Sequence, residues 1–229
     1  MIDSPFIAYV NQSAGLTAAD CARIIAAIEA QDREDFAPAW GCAPCPPKLF
    51  DRIEDVPAGA ALILFVAKSD VDGAAGYHTE QDSGRVSGIV AVDSLLAAGW
   101  SKFDGAQSIS ACASHEHCEA RKDPFVNVWV DMPDGGQDSF EMCDRVQGQS
   151  YRKLSASVSD FLLPHAFDGA PPAGAKFDFL GVLRGPFDVD TANGGYASRR
   201  TSSGKTFSVG EMPAARRHPI GRTARRMGS

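Results

Sequence analysis

An uninterrupted apolar run at residues 60–67 (Ala-Ala-Leu-Ile-Leu-Phe-Val-Ala) constrains the fold of this chain more than any other feature. It is much shorter than the roughly 18–20 apolar residues that cross a bilayer. Its length suits a buried strand, which needs other elements packed on it. Residues 17–34 can supply one. Thr17 followed by Asp20 is a capping-type start, and Cys21, Ile24, Ile25 and Ile28 recur at helical spacing. Residues 6–12 and 85–92 read as further strands, and the polar stretch 69–84, carrying Tyr77 and His78, reads as the loop between two strands. Four prolines in residues 37–47 predict an extended or looped connection.

Residues 108–122 form a second helix, with Ser108 or Ser110 as cap and Pro124 as its stop. Short β segments are expected at 125–130, 139–144, 158–163 and near 177–183. The order predicts an α+β fold, with a mixed sheet packed on a long N-terminal helix and a central helix. Hydrophobic residues make up 44% of the 229-residue chain, enough for one sizeable core. Charge divides the chain unevenly. From residue 197 onward lie eight of the 22 Lys/Arg and one of the 29 acids, so this segment carries +7 and the remainder −14. We therefore expect a body over residues 1–196 and a basic, flexible or extended arm over 197–229.

The first residues, Met-Ile-Asp-Ser-Pro, lack the basic and apolar regions of a signal peptide. The expectation is a protein kept in a reducing cytoplasm, away from membranes, with its six cysteines as free thiols. Cys42-Ala-Pro-Cys45 lacks a second pair at zinc-ribbon spacing and is followed by two prolines, so it reads as a loop with incidental thiols. Cys112 and Cys118 read as buried fillers, and His165 as a turn residue.

The chemistry concentrates in Ser114-His115-Glu116-His117-Cys118-Glu119. On a helix His115 and Glu119 share a face and can converge on one divalent cation, zinc or another. Glu116 is rotated by about 100° and can face a water as general base, as the adjacent Glu does in H-E-x-x-H enzymes. A third donor must come from elsewhere, and Glu141, Asp144 and His78 are the candidates. Asp123, about 12 Å further along the helix axis, reads as a helix-end acid supporting the site. His117 reads as exposed.

The pattern Ser-His-Glu-x-x-Glu, then Asp-Pro, Glu-x-Cys-Asp and Val-Ser-Asp-Phe-Leu-Leu-Pro resembles an uncharacterised family of phage and prophage proteins. Phe36-Ala-Pro-Ala-Trp40 and Gly76-Tyr77-His78 agree with it, so the resemblance runs from about residue 9 to 196. The order of long helix, strands, edge strand and His-Glu helix also resembles the zincins, although Glu119 stands where a zincin has its second histidine. These resemblances imply a zincin-like metalloprotein, either a metallopeptidase acting on peptides or a non-catalytic virion component. They imply a host cytoplasm and a particle as its surroundings. Arg199, Arg200, Arg216, Arg217, Arg222, Arg225 and Arg226 would then dock on an acidic neighbouring protein or, non-specifically, on nucleic acid.

Overall fold

The computed structural model describes residues 5–81 and 83–211. Its first half runs β1 (Ile7–Asn11), α1 (Ala18–Gln31), α2 (Ala37–Ala39), β2 (Pro47–Phe50), β3 (Ala61–Val66), β4 (Gly76–Glu80) and β5 (Val86–Ala91). The strands form one sheet in the order β2-β1-β3-β5-β4. Strands β1, β2, β3 and β5 are parallel neighbours, and the edge strand β4 runs antiparallel to β5. Alternation along the strands divides the core in two. Ile7, Tyr9, Ile63 and Phe65 face the helices, while Ala8, Val10 and Leu62 meet Val56 and Ala60 on the other side.

Helix α1 starts as its sequence dictates. Thr17 and Asp20 form a reciprocal capping box, and Cys21, Ile24 and Ile28 are buried against the sheet. Residues 37–47 depart from the expected extended path at their start. A π turn at Asp32–Phe36 carries the helix onward, with the Ala37 N–H donating to the Asp32 carbonyl. Pro38 then sits in the first turn of α2, where its missing N–H costs little.

Residues 69–84 hold more than a loop, because residues 76–80 are β4. The strand pairs His78 with Gly88. A Cβ at Gly88 would lie 3.0 Å from the Tyr77 carbonyl oxygen, so this close pairing needs glycine.

The second half contains α3 (Val92–Ala97), α4 (Ile109–Lys122), β6 (Trp129–Asp131), β7 (Gln137–Ser139), β8 (Ser150–Lys153), β9 (Ala156–Ser159), β10 (Ala197–Arg200) and β11 (Thr206–Val209). Ser108 caps α4 by accepting the Ala111 N–H at 3.2 Å. Strands β8 and β9 make a hairpin, and a second sheet has the order β11-β10-β7-β6.

Four expected segments shift, that expected at 158–163 lying at Ala156–Ser159. The strand expected at 125–130 starts at Trp129, and that expected at 139–144 ends at Ser139. Residues 177–183 form no strand, because Asp178 accepts the N–H groups of Gly181, Val182 and Leu183 and turns the chain. The start of the expected arm is also ordered. Strand β10 pairs with β7, so residues 197–209 belong to the second sheet. Residues 212–229, with Arg216, Arg217, Arg222, Arg225 and Arg226, lie outside the described residues. Among the described residues, no helix is long and apolar enough to cross a membrane.

Candidate metal centre

Helix α4 is enclosed on every side. Each residue from Ile109 to Arg121 is buried. Ile109, Cys112, Ala113 and Ala120 pack toward the sheet. Cys118 meets Phe36, Met142, Cys143 and Phe161 on another side, so both helix cysteines are buried as expected. Ser110 and Ser114 fasten the helix to β9: the Ser110 hydroxyl donates to the Ser157 carbonyl at 2.7 Å, and the Ser114 hydroxyl accepts the Ser159 N–H at 2.7 Å.

No solvated face is left for His117, which is 1% exposed rather than on the surface. Its Nδ1 lies 3.1 Å from the Tyr9 hydroxyl. Burial, with the charge of Arg121 adding to it, pushes its pKa down to about 3, so the ring is neutral.

The remaining side chains of this turn meet donors from three other segments. His115 Nε2 lies 3.1 Å from Glu119 Oε1 and 3.3 Å from Asp144 Oδ1. The 3₁₀ turn Asp144–Val146 delivers Asp144. Arg145 anchors this turn, its guanidinium paired with Asp138 and donating to the Ala166 carbonyl at 3.1 Å. Glu141 follows β7, and its carboxylate comes within 4.8 Å of His78 and Glu119 donor atoms.

His78 reaches in from edge strand β4. Its Nδ1 stands 3.3 Å from Glu116 Oε2 and 3.5 Å from Glu119 Oε2. Its Nε2 is 2.9 Å from the Asp123 carbonyl oxygen. Asp123 itself ends α4, its carboxylate accepting the N–H groups of Asn127 and Val128. It therefore supports the site from the helix end and is not a donor to it.

Two groups of three donors result, His115/Glu116/Glu119 and His78/Glu119/Glu141, with Asp144 standing outside both and reaching the first through His115. His78, His115, Glu116, Glu119, Glu141 and Asp144 are each at most 9% exposed. Burial opposes protonation of both imidazoles, but the surrounding carboxylates outweigh it. Glu116 and Glu119 raise the His78 pKa, and Glu119 with Asp144 raises that of His115 well above its ordinary value. The environment is one that attracts cations.

A cavity of about 80 Å³ opens beside His115 and Glu116, lined also by Gly76, Cys112, Trp100 and Tyr196. It is roomy enough to hold water. A Cβ at Gly76 would lie 2.9 Å from Cys112 Sγ and 3.0 Å from Glu116 Oε1. The lack of a side chain there lets β4 approach the helix. The sequence carried no sign that Gly76, Trp100 or Tyr196 line a cavity.

The other candidate residues lie away from this cluster. Cys42 Sγ accepts from Arg121 at 3.1 Å, and His165 faces Asp168 within a 3₁₀ turn. Arg199 pairs with Asp138, and the Arg200 guanidinium lies 4.0 Å above the Trp129 ring. Both of these basic side chains are engaged within the body. A scan of protein-family models, a search of curated proteins and a search of solved structures each returned no match to this chain.

Proposed function

We propose that the protein is a zincin-like metalloprotein that hydrolyses peptide bonds, with His115, Glu119 and Asp144 as ligands and Glu116 as general base. The observation that carries this reading is the convergence of two carboxylates on His115 Nε2, at 3.1 and 3.3 Å, beside a cavity of water size. One imidazole and two carboxylates suit zinc or another first-row divalent cation. The sheet order β2-β1-β3-β5-β4, with its antiparallel edge strand β4, supports the zincin-like comparison.

When bound, such a cation supplies Lewis acidity to the scissile carbonyl. The chain's residues do the rest. Glu116 borders the cavity and takes the proton of an attacking water at its carboxylate. His78 lies beside that carboxylate, its Nδ1 3.3 Å from Glu116 Oε2. The enclosure of α4 excludes bulk water and strengthens each electrostatic contact. The partner in this reading is a peptide segment or a virion protein. The internal engagement of Arg199 and Arg200 favours such a partner over nucleic acid.

The test is hydrolysis of a peptide library by purified protein, with and without chelator. The expected outcome is chelator-sensitive cleavage that is lost in Glu116→Gln. A protein that carries no divalent cation and is indifferent to chelators would overturn the reading.

A further inference from the structure

Glu119 aims its two carboxylate oxygens at different histidines. Oε1 lies 3.1 Å from His115 Nε2, and Oε2 lies 3.5 Å from His78 Nδ1. Each imidazole also has a second carboxylate: Asp144 Oδ1 stands 3.3 Å from His115 Nε2, and Glu141 shares the His78 and Glu119 group. The cluster is thus two half-sites joined by one side chain. From this arrangement we infer a dinuclear centre, with one cation held by His115, Glu119 Oε1 and Asp144, and a second by His78 Nδ1, Glu119 Oε2 and Glu141. The inference rests on the metal-binding reading above and extends it from one ion to two.

Three further features point the same way. A ligating histidine usually donates its other ring N–H to a carbonyl or carboxylate, which fixes the tautomer. His78 Nε2 sits 2.9 Å from the Asp123 carbonyl oxygen, so donation there leaves the Nδ1 lone pair facing Glu116 and Glu119. Charge is the second feature. The six residues comprise four carboxylates and two imidazoles, so even with both rings protonated the group sums to −2. Buried charge of one sign is costly, and replacing the two ring protons by two divalent cations brings the sum to zero. The third feature is that one carboxylate faces both imidazoles. A carboxylate bridging through both oxygens suits ions about 3.5–4 Å apart, the separation found in two-metal hydrolytic sites. Glu116 flanks both half-sites, within reach of His115 and 3.3 Å from His78. The second ion would therefore lie next to the general base.

The test uses Co²⁺ on chelator-stripped full-length protein, read by native mass spectrometry, optical absorption and magnetic susceptibility. Thiolate ligation gives intense near-ultraviolet charge transfer, so uptake at the cysteines is seen separately. The expected result is two Co²⁺ per chain without that band, and with magnetic coupling between the ions. His78→Ala should keep one ion and lose the coupling. One uncoupled Co²⁺ per wild-type chain overturns the dinuclear centre and leaves the single-ion reading intact. No retained Co²⁺, or uptake through thiolates alone, overturns both. If His78→Ala does not fold, the wild-type stoichiometry and coupling decide the matter.

Discussion

Asp160 and Asp178, both fully buried, set their carboxyl groups close together where β9 meets the Asp178 turn. Burial, reinforced by the neighbouring Asp178 carboxylate, pushes the Asp160 pKa up to about 8. Asp160 Oδ1 also accepts the N–H groups of Phe161 and Leu180, so the pair ties β9 to the Asp178 turn. The folded chain holds a proton here that the unfolded chain releases near an ordinary carboxylate pKa of about 3.9. This contribution to stability is complete below about pH 4, declines as pH rises toward 8, and is lost above it. In Asp160→Asn the buried position no longer titrates. Urea melts at pH 5 and pH 9 should show the variant closing most of the wild-type gap, with a gain of about 1–3 kcal/mol at pH 9. An unchanged pH slope would refute the raised Asp160 pKa.

Cation binding should be visible in thermal stability. A ligand at one hundred times its dissociation constant stabilises the native state by about 2.7 kcal/mol. For a domain of this size that is a rise of roughly 5–10 °C. Scanning calorimetry with Zn²⁺, then with excess chelator, should show the rise and its reversal. Glu119→Gln should abolish the shift, since Glu119 belongs to both donor groups. The same melting curve in all conditions would argue against a structural cation.

Gly76→Ala tests the closeness of β4 and α4. The new methyl would press on Cys112 Sγ, the Ile89 carbonyl oxygen and Glu116 Oε1, all at 2.9–3.0 Å. Overpacking of this kind costs about 1–3 kcal/mol. Denaturant titration should report that loss, and any peptide hydrolysis should fall with it because Glu116 is displaced. A variant as stable as wild type would mean that the strand yields easily.

Arg145→Met tests the anchor behind Asp144. The Arg145–Asp138 pair is buried at 1% and 0% side-chain exposure. Removing one member of a buried pair costs about 3–5 kcal/mol. Arg199, 3.3 Å from Asp138 Oδ1, should soften the loss toward the lower figure. Equilibrium unfolding gives the number. Restoring stability in the double variant Arg145→Met/Asp138→Leu would show that the cost is an orphaned charge.

Much of the helical framework was legible in the sequence, because capping residues and apolar periodicity are local signals. Thr17, Asp20, Ser108 and Pro124 mark the ends of α1 and α4 close to where they fall. His115 and Glu119 meet as their spacing requires. Strand β4 was not legible, since Gly-Tyr-His-Thr-Glu is polar and declares itself only through pairing with β5. His117 was misplaced because a run rich in His and Glu suggests a wetted face, whereas α4 has none. The choice among Glu141, Asp144 and His78 could not be made from spacing along the chain. Their approach to α4 depends on a 3₁₀ turn and on an edge strand distant in sequence. The hairpin after residue 196 was hidden by its Ser/Gly/Arg content.

The donors come from positions as far apart as 78 and 144, and Tyr196, whose N–H the Asp144 carbonyl accepts at 3.0 Å, helps line the cavity above them. During synthesis His78 leaves the ribosome well before its counterparts exist. The constellation needs β4, α4 and the Asp144 turn together, so cation uptake would report the joining of segments far apart in the chain.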